Sequence, residues 1–260
     1  MSSVLYEYSA PTALINFRSV IAMSIVGEAK GVIEIVVKGV QWLAGKRDPV
    51  RLQAQRLINA FEAHHIARQQ IARLLPESLN VSSIGFSSAD NLRGSVSPRL
   101  LDWASEYLKL SRSWLDGISE QPHVRIDHYK DEERYSSWLR ERLLVEPDVN
   151  RHIVVWATEI PKLSWSNAPG YLTIAYVETG ASLDGAELSR YWLLSYQWPA
   201  DHVPCVESML KIVRLARDLD IMVVGRLVNA RTLGRLERGR LFAPQVARAE
   251  GRLWHPEDIS

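Results

Sequence analysis

Between Val50 and Gly117, helix-starting and helix-stopping residues recur so closely that the segment reads as a set of short helices. The polar run from Gly45 to Asp48 and then Pro49 form a break, and proline suits a first helical turn, so a helix is expected from Val50 to His64 with Leu52, Leu57, Ile58 and Phe61 apolar. A second, Ile66 to Leu75, turns Ile66, Ile71, Leu74 and Leu75 inward, keeps Ala72 small for close approach, and ends at Pro76. In FSSADNLRG, Ser87 or Ser88 is a cap for one or two helical turns that stop at Gly94. Ser97 and Pro98 open a longer helix with the stripe Leu100, Leu101, Ala104, Tyr107 and Leu108. Ser111 caps a last short one, where Trp114 and Leu115 seal the core before Gly117. That makes five helices in roughly seventy residues.

The rest of the chain is read against this unit. With 260 residues, 47% hydrophobic and 23% charged, it falls in the globular range and has room for one large domain or two modest ones. The single Cys205 excludes an intramolecular disulfide, and no basic segment leads into an apolar export signal, so a cytoplasmic location is expected. A net charge of +1 says nothing about nucleic acid, because a basic patch can be cancelled elsewhere. The apolar segment Thr12 to Lys46 carries Arg18, Glu28, Lys30, Glu34 and Lys38, which argues against a membrane span. Its second half suits an amphipathic helix of Ile33, Val36, Val37, Val40 and Leu43, packed on the protein, at a dimer contact or on a membrane surface. The GxxxG of Gly27 and Gly31 adds little outside a membrane span.

Three runs, RQQIARLL, SPRLLDWASEYL and LSRSWLDG, resemble the lambda-repressor and Cro-like helix-turn-helix domain over Val50 to Gly117. LSRSWLDG is the most specific, matching in apolar spacing and glycine. The resemblance implies that Arg68 and Gln69 touch phosphates and that SSADNLRG lies in the major groove of duplex DNA. In that setting Asn91 can bond an adenine edge and Arg93 a guanine, Ser87 and Ser88 can reach bases or phosphates, and Arg68, Arg73, Arg93 and Arg99 supply positive charge. The chain departs from the family by inserting PESLNVSSIGF where a tight turn is usual, which leaves Glu77 to Ile84 as an alternative recognition segment. The adjacent His64 and His65, with no spaced acidic or Cys partner, read as surface residues at a helix end rather than metal ligands.

Beyond Gly117 the pattern changes. SEQPHVRIDHYKDEER is polar, Glu132 to Leu144 suits a helix, and HIVVWATEI, GYLTIAYVE and RYWLLSYQW suit strands. A helix from Val203 to Leu219, the strand-like DIMVVGRLV and a helix over Ala230 to Arg238 complete an α+β pattern with an antiparallel sheet. The expected fold is multidomain, α plus α+β. It comprises a helical extension over 1–48, a helix-turn-helix domain over 49–118, a linker over 119–130 and a sensor or oligomerisation domain over 131–260.

No GxSxG elbow, phosphate loop or HExxH occurs, Asp127 and His128 lack a nucleophile, and Cys205 lies near His202 only in sequence, so no catalytic residue, metal or cofactor is expected. The aromatic density, from Trp138 to Trp254, is expected to be mostly core, with a minority free to line a pocket or interface.

These expectations add up to a transcription regulator of bacterial or phage repressor type, acting on double-stranded DNA as a homodimer, with a small-molecule or protein effector at the C-terminal domain. The alternative is a protein-interaction factor, such as an antitoxin or adaptor, that does not read DNA. A contiguous basic stripe of Arg68, Gln69, Arg73, Asn91 and Arg93 favours the first, and interrupting acids favour the second.

Overall fold

Asp48 caps the first described helix by accepting the Arg51 amide on Oδ1 at 3.0 Å, so α1 (Pro49–Ala63) starts with both a side-chain cap and a first-turn proline. The structure is a computed structural model that describes residues 48–126, 129, 131–145, 149–163 and 170–259. The helix expected within Thr12 to Lys46, with Gly27 and Gly31, lies outside those residues, as do Asp127, His128 and Trp165.

Four more helices follow where the punctuation places them: α2 (Arg68–Leu74), α3 (Ala89–Leu92), α4 (Pro98–Leu108) and α5 (Arg112–Leu115). Ser88, Ser97 and Ser111 cap the last three, each hydroxyl accepting an amide three residues on. α3 is one turn long, flanked by 3-10 turns at Gly85–Ser87 and Arg93–Ser95. Lys109 ends α4 in the left-handed region at φ 52°. Leu57, Ile58, Phe61, Ile71, Phe86, Leu92, Leu100, Leu101, Leu108 and Leu115 form the core of this part, and Leu188 from the sheet is buried with them.

The second part is a mixed sheet of seven strands among the described residues: β1 (Val124–Arg125), β2 (Asn150–Ala157), β3 (Tyr171–Ala181), β4 (Glu187–Leu193), β5 (Trp198–Pro199), β6 (Met222–Leu227) and β7 (Leu253–Trp254). The order is β1-β4-β3-β2-β6-β7, with β5 also on β3. An all-antiparallel sheet was expected, but β1 on β4 and β2 on β6 are parallel. The reason lies in connection length: β6 returns beside β2 only after α7 (Val203–Asp218), a crossover long enough to reverse the chain.

Both sheet faces are covered, which explains why IVVWA is continuously apolar rather than alternating. Ile153, Val155, Ile174, Tyr176 and Trp192 pack towards Tyr135 and Leu139 of α6 (Glu132–Val145) and Val206, Met209 and Val213 of α7. Val154, Trp156, Ala175, Val177 and Tyr191 pack instead on Leu233 and Leu236 of α8 (Ala230–Glu237) and on Val246 of α9 (Ala243–Ala247). Helices and sheet share contacts. Phe242, just before α9, meets Trp114 of α5 edge-on at 5.4 Å, and residues 119–126, polar in sequence, carry the edge strand β1.

Candidate functional site

The residues expected to meet DNA fall on α2, α3 and the 3-10 turns that flank α3, and four of them are joined by bonds. The start of α2 places Arg68 so that its Nε donates to Glu62 at 2.6 Å and its Nη1 to the Ser87 carbonyl at 2.7 Å. Ser87 Oγ donates to the Ile84 carbonyl and accepts from Asn91 Nδ2 at 2.8 Å, while Ser88 Oγ accepts the Asn91 amide at 3.1 Å. Arg68, Ser87, Ser88 and Asn91 therefore form one polar network that ties the two helices together. Gln69 is exposed nearby on α2.

Arg73 and Arg93 reach in other directions. Arg73 makes a two-pronged pair, 2.8 Å on each prong, with Asp184 at the turn between β3 and β4, and Arg93 pairs with Asp48 at 3.1 Å. Arg51 in turn holds Asp90 at 2.7 Å. The hydrogen bonds and charge of Arg51 and Arg73 hold the Asp90 and Asp184 carboxyls below the usual carboxylate range. Basic and acidic groups thus alternate over this face. The guanidinium partners stay wet, with Arg68, Arg73 and Arg93 side chains 37%, 55% and 58% exposed. Exposed pairs of this kind contribute only about 0–1 kcal/mol, so each arginine can exchange its carboxylate for a phosphate at small cost. None of the acidic partners Glu62, Asp48, Asp90 or Asp184 stood out in the sequence, and the link between Arg73 and Asp184 depends on the fold bringing a distant turn alongside α2.

The inserted segment behaves differently from the network. Ser82, Ser83 and Ile84 are exposed, Ile84 at 75%, while Phe86 is buried in the helical core and anchors the insertion.

Two expectations are corrected. His64 is not a surface residue: it is 5% exposed, with Nδ1 2.8 Å from the Ala60 carbonyl and its ring edge-on to Phe242. Burial pushes its pKa down to about 4, so it is neutral at pH 7. No set of residues able to hold a metal ion occurs among the described residues. Cys205 and His202 are neighbours in space as well as sequence, because the first turn of α7 brings His202 Nδ1 to 3.2 Å from Sγ, with Tyr129 Oη 3.9 Å from the same sulfur. The i,i+3 spacing at a helix start was the signal for this.

No family model, curated protein or solved structure matches the chain.

Proposed function

We propose that the protein is a DNA-binding transcription regulator that docks α2 and α3 on duplex DNA as a homodimer and receives an effector in its sheet-containing part. The observation that carries this reading is the exposed network of Arg68, Ser87, Ser88 and Asn91, in which a phosphate-type residue and a base-reading residue share one patch. Arg68 is held there by exchangeable bonds, and Asn91 presents its carboxamide from a turn of helix capped by Ser88.

A second reading has its own observation. Arg68, Arg73 and Arg93 each hold a carboxylate, so the face is a checkerboard rather than a basic stripe. A checkerboard with an exposed Ile84 beside it suits a protein partner, as in an antitoxin or adaptor.

Retention of sequenced genomic fragments by the intact protein, followed by a salt titration on the enriched site, separates the two. The DNA reading expects log Kd to rise linearly with log salt, with a slope set by the number of phosphates contacted. Failure to retain any fragment even at about 50 mM salt leaves the protein-interaction reading. Light scattering of the free and DNA-bound protein tests the homodimer, and a strict monomer in both states counts against it.

A further inference from the structure

The arginine-rich end of the chain takes no part in the network of α2 and α3. Arg231, Arg235, Arg238, Arg240, Arg248 and Arg252 are all exposed, and none of them makes an ion pair among the described residues. The arginines of the helical part behave otherwise: Arg51, Arg68, Arg73, Arg93 and Arg112 each hold a carboxylate. Two acids fall between Arg231 and Arg252. Glu237 is 2% exposed and accepts from the Thr173 hydroxyl inside the protein, which leaves Glu250 as the exposed one. Positive charge therefore dominates this surface.

Helical spacing gathers three of these arginines. α8 buries Leu233 and Leu236 against the sheet, and positions 231, 235 and 238 fall together on the side away from that contact. Arg238, just after the helix, folds back over Gly234, its Nη1 and Nη2 standing 3.2 and 3.3 Å from where a Cβ would be. Its guanidinium is thereby laid along the helix at the level of the turn that carries Arg235. Like charges four residues apart on a helix repel, and a cation in the first turn, where Arg231 stands, opposes the positive end of the helix dipole. A cation near the C-terminus suits the dipole, which accounts for Arg235 and Arg238 but not for Arg231. The stripe costs the fold something and needs a partner that lies outside it.

The neighbours of the stripe identify that partner. α8 contains no aromatic side chain on which an unpaired base could stack, and its leucines are buried against the sheet, so none is free to enter a bilayer. What faces solvent is a row of guanidinium groups. From Arg231 to Arg238 the helix rises about 10 Å, a distance over which duplex DNA presents about six phosphate charges. Arg248 extends the positive surface: burial, and then the charge of Arg248, lower the pKa of His65, which puts that arginine near the turn between α1 and α2.

We propose that the outer face of α8, with Arg231, Arg235 and Arg238, is a nucleic-acid contact in its own right, gripping the phosphate backbone of duplex DNA without reading its bases. It does not rest on α2 and α3 reading DNA, and it stands if that face binds a protein instead. Each phosphate that an arginine neutralises releases counterions, so the contact is read in the salt dependence of binding.

The test is fluorescence anisotropy of a random-sequence duplex of about 25 base pairs, titrated with the intact protein between about 50 and 200 mM salt. Wild type is expected to bind with Kd below about 100 µM at about 100 mM salt. The combined Arg231→Ala, Arg235→Ala and Arg238→Ala variant is expected to bind at least about tenfold more weakly and to lower the slope of log Kd against log salt by about two to three. Arg231→Lys, Arg235→Lys and Arg238→Lys together keep the charge and should stay within about threefold of wild type. Arg214→Ala with Arg217→Ala, on α7 beside Asp218, should leave the slope unchanged. All these side chains are exposed, so the melting temperature is expected to hold; if the alanine variant melts lower, Arg231→Gln with Arg235→Gln takes its place. The proposal is overturned if wild type does not bind at about 50 mM salt, if the alanine variant keeps the wild-type slope, or if phosphatidylserine vesicles, polyglutamate or the single strand bind as tightly as the duplex. Loss of site preference in Asn91→Ala with no effect of the α8 variant overturns this contact and upholds the reading of α2 and α3, and the reverse result does the opposite.

Discussion

Gly239 shows how much a single residue can constrain. It has φ +67°, and a Cβ there would stand 1.8 Å from the Glu120 carbonyl oxygen, a backbone atom that cannot rotate away. Gly239→Ala combines left-handed strain with a clash against the segment that carries β1, and is expected to cost about 3 kcal/mol or more by urea denaturation. Gly94 has nothing within 4 Å of its would-be Cβ, so Gly94→Ala is the control and should change stability by less than about 1 kcal/mol. A loss for Gly239→Ala no larger than for Gly94→Ala removes the close approach from consideration. The two glycines also differ in how far they could be read. Gly94 follows a capped turn and marks a stop by local rules, whereas the role of Gly239 depends on Glu120, more than a hundred residues away. His64 is the same case: nothing adjacent in sequence says that Phe242 covers it, so local rules alone predict a surface position.

Helices whose ends are set locally were legible, and Ser88, Ser97 and Ser111 stand as caps where a hydroxyl precedes an apolar run. The strip β1 was not. It is two residues in a polar segment, and what makes it a strand is the parallel register of Val124 with Trp192 and Arg125 with Leu193. The bonds of Gln121 and Arg125 to the Glu237 carbonyl were hidden with it. At the exposed network of α2 and α3 the sequence singled out residues that the fold joins by hydrogen bonds, but not their carboxylate partners. If that network reads DNA, Asn91→Ala should cost about 1–3 kcal/mol on the enriched site and much less on random duplex. Arg68→Ala should weaken both about equally and lower the salt slope by roughly one. Anisotropy titrations of each variant decide this. Equal losses for Asn91→Ala on both duplexes move base reading to the exposed Ser82 to Ile84 segment. Neither variant should lower the melting temperature much. Leu101→Ala, at a fully packed position of α4, should cost about 2–5 kcal/mol.

Across the molecule, two buried neutral histidines tie stability to pH. Burial, then the positive charges of His65 and Arg190, hold His64 down to about 4, against the rise from its bond to Ala60. Burial, then His64 and Arg125, hold His123 down to about 3. Between the ordinary value of 6.5 and these values the unfolded chain binds protons that the folded chain refuses. Stability is therefore complete above pH 6.5 and is lost as pH falls, by roughly 1.4 kcal/mol per unit for each histidine. Glu237, raised by burial, opposes this and His152, lowered by burial, adds to it, so the measurement is a difference: urea midpoints from pH 7.5 to 4.5 for wild type and His64→Phe, with the variant expected to lose up to about 1.4 kcal/mol per pH unit of slope. An unchanged slope in His64→Phe sinks the assignment. The parallel neighbourhood of β2 and β6 has a kinetic side as well. His152 can find Met222 only after β3, β4 and α7 have been threaded past, whereas α1 to α5 are built from near neighbours in the chain. Refolding should then show helical signal before the sheet closes, with the slow step set by the search of β6 for β2 and reported by Trp254 settling over Gly225. During that interval the open side of β2 is an apolar, unpaired edge, and the rate at which β6 reaches it determines how long the chain is exposed to association with its own copies.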